Sequence, residues 1–132
     1  MENSQPTFSI VIIGFNTEKY LKKLLVSIEK IIYPIESIEV IYVDDGSTDN
    51  SLALFKNFAL NCNTKSFAFK QNMGRVYASD KGIKLATGEW ILNLQSNVIV
   101  DENILNAYCK AINEGVVAVG GKIIYESEDQ KF

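Results

Sequence analysis

Apolar residues along this chain fall into short blocks whose internal spacing alternates between two kinds. "FSIVIIGF" is a continuous apolar run rich in β-branched residues, as in a strand covered on both faces, and predicts a strand over about residues 8–14. In the following segment Tyr20, Leu21, Leu24, Leu25, Ile28, Ile31 and Ile32 recur at helical spacing, with Thr17 as the expected N-cap and Pro34 as the stop. "IEVIYV" (38–43) repeats the buried-strand pattern and runs into Asp44-Asp45-Gly46. "STDN" then offers capping groups to a helix carrying Leu52, Leu54, Phe55, Phe58 and Ala59. "SFAFK" (66–70) predicts a third strand, "GRVYASDKGIKLA" (74–86) a third helix closed by Gly88, and "EWILNL" (89–94) a fourth strand. Asp101 is the expected cap of a fourth helix ended by Gly115, and "VVAVGGKIIY" (116–125) reads as a fifth strand.

Strands that alternate with helices and are apolar on both faces call for an α/β fold. The expected form is an open, mostly parallel, doubly wound sheet with helices on both faces. Ligands of such sheets bind where loops leave the carboxyl ends of the strands. The loops of interest are therefore 14–18, 44–50, 71–75 and 95–101, where polar residues also concentrate.

A length of 132 residues fits one domain, 1–132, with 1–7 and 126–132 as expected flexible ends. A formal charge of −3 with scattered lysines gives no field to hold a nucleic acid or an anionic membrane surface. No apolar run is long enough to span a bilayer, and the first residues lack the basic start and cleavage site of a signal peptide, so the expected location is cytoplasmic. Cys62 and Cys109 lack CxxC spacing and are expected to be reduced thiols. Histidine is absent, which removes Ser/His/Asp and Cys/His nucleophilic machinery and imidazole metal sites from these residues.

In "VDDGSTDN" a turn followed by a helix cap accounts for Gly46, Ser47, Thr48 and Asp49. It leaves Asp44 and Asp45 unexplained. Neighbouring carboxylates repel, so a specific donor should engage one of them, and a nucleobase N–H or ribose hydroxyl is a candidate. "NMGRVYASDKG" places Asn72 and Gly74 in a loop and Arg75 at a helix start, where free backbone N–H groups and a guanidinium favour an anion such as a diphosphate; a solvated surface arginine is the competing reading. Neither GxxxxGK[ST] nor GxGxxG occurs, so this is neither a P-loop nor a standard dinucleotide fingerprint.

Taken in order, "FSIVIIGFNTEKYLKKLLVSI", "IEVIYVDDGSTDNS", "NMGRVYASDKGIKLATGEWILNL" and "VVAVGGKII" resemble the amino-terminal half of family 2 glycosyltransferases, which have the GT-A, Rossmann-like fold. The resemblance covers nearly the whole chain and implies a domain truncated relative to the full family domain. It places Gly14, Phe15 and Asn16 against a nucleobase, although the family commonly has proline and a small hydroxyl residue at the first two positions. It makes Asp44 the acid that reads the base, Asp45 a support for the loop, and Gly74 and Arg75 the segment beside base and phosphates. Asp80 stands where the family usually has asparagine.

After the strand "WILNL" the family presents Asp-X-Asp, whose acids hold Mg or Mn and the donor ribose. Here the matching residues are Gln95, Ser96 and Asn97. Amides can offer carbonyl oxygens or hydrogen-bond a ribose, but they remove both formal charges from the metal pair, so strong binding of Mg or Mn by this pair is not expected. The family's acceptor surface and catalytic base come from later sequence, so no catalytic residue is assigned here. The resemblance thus implies a domain that binds a nucleotide-diphosphate sugar, most often a UDP-sugar, with little or no transfer by these residues alone, an acceptor not specified, and membrane association only through other sequence. The competing reading is a non-catalytic interaction or regulatory module that keeps the half fold and self-associates.

Overall fold

A computed structural model describes residues 5–121 of the chain. Four strands, β1 (Phe8–Gly14), β2 (Ile38–Asp44), β3 (Asn63–Ala68) and β4 (Trp90–Gln95), form one sheet in the order β3-β2-β1-β4. All neighbouring pairs are parallel. The helices are α1 (Glu18–Glu29), α2 (Ser51–Asn57), α3 (Arg75–Leu85) and α4 (Ile104–Ala111), with a 3-10 turn at Ile35–Ser37 before β2.

Side-chain alternation along the central strands explains why both faces are covered. Phe8, Ile10, Ile12, Val40 and Tyr42 point into one core with Leu21, Leu24, Leu25 and Ile28 of α1, Phe55 of α2 and Leu105 of α4. Val11, Ile41 and Val43 point the other way, onto Ala78 of α3. The expected doubly wound arrangement is therefore present, with three helices on one face and α3 on the other. Tyr20 and Ile32, counted in the apolar stripe of the first helix, lie 47% and 56% exposed; the buried stripe is Leu21, Leu24, Leu25, Ile28 and Ile31.

Near the amino ends of the strands, Glu39 is the buried anchor. Its Oε1 accepts from Ser9 Oγ and from Thr87 N, both at 2.6 Å, and its Oε2 lies 3.0 Å from Lys65 Nζ. Burial alone would raise the Glu39 pKa, but these donors outweigh it and hold it at about 2. Pro6 and Thr7, within the stretch expected to be loose, are pinned: the Pro6 carbonyl accepts from Tyr33 OH, and the Thr7 carbonyl accepts from Trp90 N at 3.0 Å.

Three sequence expectations need correction. The third strand begins earlier than 66 and ends at Ala68, because its polar start Asn63-Thr64-Lys65 pairs with Glu39, Val40 and Ile41 along a sheet edge, where apolar side chains are not required. The fifth strand expected at 116–125 is not formed over residues 116–121, where Val117 is 92% exposed; an apolar run supplies no hydrogen-bond partner, and among the described residues β4 pairs with β1 alone. The rest of that segment, like 126–132, lies outside the described residues. Finally, Thr17 and Asn50 of the "STDN" run hold the N-cap positions of α1 and α2 as expected but make no cap bond with their own side chains; Asn103, not Asp101, precedes α4, although Asp101 Oδ1 accepts from Asn103 N at 2.8 Å.

Candidate functional site

The strand order reverses direction beside β1: the chain moves outward through β2 and β3, then crosses back to place β4 on the other side. A crevice opens at the carboxyl ends of the strands at such a reversal. Register brings the relevant residues level there, since Gly14 pairs with Asp44 and Ile13 with Gln95. A cleft of about 510 Å³ lies at this point, walled by Phe15, Asn16 and Tyr20 on one side and by Asn72, Gly74, Arg75 and Ser79 on another. Asn93, Gln95, Ser96 and Asn97 complete it.

The two loops after β1 and β2 are locked to each other. Asn16, in the left-handed region at φ 51°, accepts at Oδ1 from Thr48 N (2.8 Å), Thr48 Oγ1 and Asp49 N, while its own N–H donates to Ser47 Oγ at 2.9 Å. Thr17 N donates to Ser51 Oγ and Glu18 N to Asp49 Oδ2, and the Glu18 carboxylate in return accepts from Asn50. Ser47, Thr48, Asp49 and Asn50 among these are groups that the sequence offered as helix caps. They bind the neighbouring loop, and Asp49 also holds the start of α2, its Oδ1 accepting from Ser51 N at 3.0 Å. Asn16 is thus primarily a clasp.

Asp44 and Asp45 are each 3% exposed and are satisfied from within the chain. Asp44 Oδ1 accepts from Tyr42 OH at 3.0 Å and Oδ2 from Ser47 N at 2.8 Å. Burial and the Asp44 carboxylate both raise the Tyr42 pKa above its ordinary value, so the phenol remains a donor. Asp45 Oδ1 accepts from Met73 N at 2.7 Å and Oδ2 from Gly74 N at 3.1 Å, which fixes the loop that delivers Arg75 to the first turn of α3. The donors expected from a ligand are thus phenol and backbone groups, and Asp44 sits behind the cleft wall while Asp45 lines it.

Two glycines are required by close approach. A Cβ on Gly14 would stand 2.6 Å from Tyr42 OH and 2.7 Å from Thr17 Oγ1. Gly46, at φ +78°, packs on the 71–72 backbone so tightly that a Cβ would sit 2.5 Å from Asn72 N. Gly14 therefore shapes the site without lining it.

Among the remaining expectations, Phe15, Gly74, Arg75, Ser96, Gln95 and Asn97 all lie on the cleft. Ser96 is 4% exposed, and the loop beyond it is tied down where Val100 N donates to Ser27 Oγ at 3.1 Å. Asp80 does not take part: it faces Lys84 across a 2.7 Å salt bridge, exposed, away from the cleft. Tyr20, Ser79 and Asn93 were missed as site residues. Tyr20 and Asn93 did leave a signal, an aromatic beside the buried stripe of α1 and an amide inside an apolar strand.

The fit to a divalent metal is poor. Among the described residues the only acid on the cleft is Asp45, whose oxygens already accept two backbone bonds, and no group of three His, Cys, Asp or Glu side chains could hold a metal ion. Gln95 and Asn97 stand as neutral amides where anionic ligands would be needed.

Comparison with known proteins decides the family. The model of glycosyl transferase family 2 matches residues 9–132. The chain belongs to glycosyl transferase family 2. It is 35% identical over 127 residues to the glycosyltransferase GlyG of Streptococcus pneumoniae, covering 94% of this chain and 42% of that protein. It is 31% identical over 108 residues to the poly(ribitol-phosphate) beta-N-acetylglucosaminyltransferase TarS of Staphylococcus aureus, covering 81% of this chain and 19% of TarS. The crystal structure of S. aureus TarS 1-349 with UDP-GlcNAc superposes with a TM-score of 0.77 at 27% identity, over 95% of this chain and 38% of that one. A mannosyltransferase from Pyrobaculum calidifontis, solved with GDP-Man and Mn2+, superposes at 0.80 over 86% of this chain and 34% of that one; at 19% identity it supports the fold alone. The fold of this family 2 domain is GT-A, and the chain spans less than half the length of these relatives. Among the described residues no helix is long and apolar enough to cross a membrane.

Proposed function

We propose that this family 2 domain is the donor-binding half of a glycosyltransferase and that its cleft takes a nucleoside-diphosphate sugar, a UDP-sugar first. The observation that carries the reading is one cleft at the sheet's reversal point, about 510 Å³ in volume, with Arg75 as its single cation among the described residues. The half-exposed ring of Phe15 and the ring of Tyr20 offer faces to a nucleobase. Arg75 and the start of α3 suit the diphosphate. Asp44, Asp45 and Asn16 hold the loops that form the walls, and Gly14 leaves room for them. Ser96 closes the floor beside Gln95 and Asn97.

Sugar transfer needs a carboxylate to deprotonate the acceptor hydroxyl. The one acid that the described residues place on the cleft, Asp45, is committed to the Met73 and Gly74 amides. The described residues therefore supply donor binding and not the base.

Calorimetric titration of the 132-residue chain with UDP and with GDP tests the reading. We expect UDP to bind at about millimolar Kd or tighter, and Arg75→Ala to weaken it about tenfold. Absence of binding to either nucleotide at millimolar concentration defeats it. A second reading, self-association, is favoured by the apolar side chains that α3 exposes, Val76 at 81% and Tyr77 at 61%. Light scattering showing a stable dimer that ignores both nucleotides would select it.

A further inference from the structure

The charges on the cleft differ from those that a metal-bridged diphosphate needs, and the difference says how the donor is held. Asn93 and Gln95, two residues apart on β4, face the same side of the sheet, and Asn97 follows in the turn; all three line the cleft. Gln95 and Asn97 are exposed, and among the described residues no hydrogen bond fixes either side-chain amide. Each can therefore turn its NH2 toward a ligand, offering two N–H donors. Among the described residues, Arg75 and Asp45 are the only formally charged ones on the cleft, so their charges sum to zero.

An acid pair at 95 and 97 would repel a diphosphate unless a divalent ion lay between them. Amides remove that repulsion and reverse the polarity of the contact, since an N–H donor meets a phosphate oxygen directly. Magnesium and manganese prefer anionic oxygen and give up water reluctantly, so two neutral carbonyls recruit them weakly. Resting on the donor-binding reading above, we infer that the cleft receives the nucleoside diphosphate in its metal-free anionic form, with the amide N–H groups of Gln95 and Asn97 and the Arg75 guanidinium as direct donors to its phosphate oxygens.

Titration of the whole chain with UDP in EDTA and again in manganese chloride tests this. The affinity in manganese is expected to equal that in EDTA within about twofold, or to be weaker, because the ion complexes the free diphosphate. Strengthening by manganese beyond about twofold overturns the inference while leaving donor binding intact. Binding in neither condition overturns both. The double variant Q95D/N97D is expected to lose about tenfold in EDTA through restored charge repulsion and to regain it with manganese. An unchanged EDTA affinity in that folded variant would overturn the assigned contacts, and the native-chain comparison decides the matter if the variant does not fold.

Discussion

Replacing Glu39 by glutamine probes the anchor at the bottom of the sheet through its pH dependence. The carboxylate is 6% exposed and is held by Ser9 Oγ, Thr87 N and Lys65 Nζ, with its pKa lowered from 4.5 to about 2. A folded-state pKa below the unfolded value means stability that is complete above about 4.5 and lost as pH falls toward 2. The shift corresponds to roughly 3 kcal/mol at pH 7, of which about 2 kcal/mol has gone by pH 3. Glutamine keeps one acceptor but turns an NH2 toward donors, so Glu39→Gln should unfold about 2–3 kcal/mol more easily at neutral pH. Urea denaturation of both proteins at pH 7 and pH 3 reads the difference. The gap should narrow by about 2 kcal/mol at the lower pH. A gap of the same size at both would show that the network contributes no ionisation-linked stability, and the account of Glu39 as a charged anchor would fail.

Other consequences follow from the loops. Asp45→Ala removes both acceptors of the Met73 and Gly74 amides, so hydrogen exchange at these two amides should accelerate selectively, with about 2–4 kcal/mol lost locally. Gly46→Ala forces a Cβ into the 71–72 backbone at φ +78° and should lower stability by about 2–4 kcal/mol in thermal unfolding; a change under about 0.5 kcal/mol would refute the tight packing. Asn16→Ala should cost about 1–3 kcal/mol and raise protease sensitivity at residues 47–50, because the clasp between the two loops is lost.

Much of this was legible in the sequence because buried parallel strands must be apolar on both faces, which made β1 and β2 stand out, while β4 showed as the apolar run "WILNL" although one of its faces is exposed. What the pattern could not carry was hydrogen-bond partnership. β3 begins with Asn63-Thr64-Lys65, polar residues that an edge strand tolerates, and "VVAVGG" had the composition of a strand but, among the described residues, no neighbour to pair with over 116–121. The same limit applied at the site. Asp44 and Asp45 were read as acids awaiting a ligand's donor, yet the partners they have, Tyr42 OH and the amides of Ser47, Met73 and Gly74, become visible only once the loops are folded together. The amides Gln95 and Asn97 were readable from position alone, because the ordered family motifs fixed where acids would stand.

The bonding of these side chains separates what folding demands from what chemistry demands. Asp44 and Asp45 are each held by two donors of the chain itself, whereas Gln95 and Asn97 rest on none among the described residues. A lineage released from selection for catalysis would therefore keep the first pair for mechanical reasons while the second pair drifts. In such relatives an intact "DDGS" attests to a sound scaffold and says nothing of turnover, and it is the residues after the fourth strand that carry the record of use.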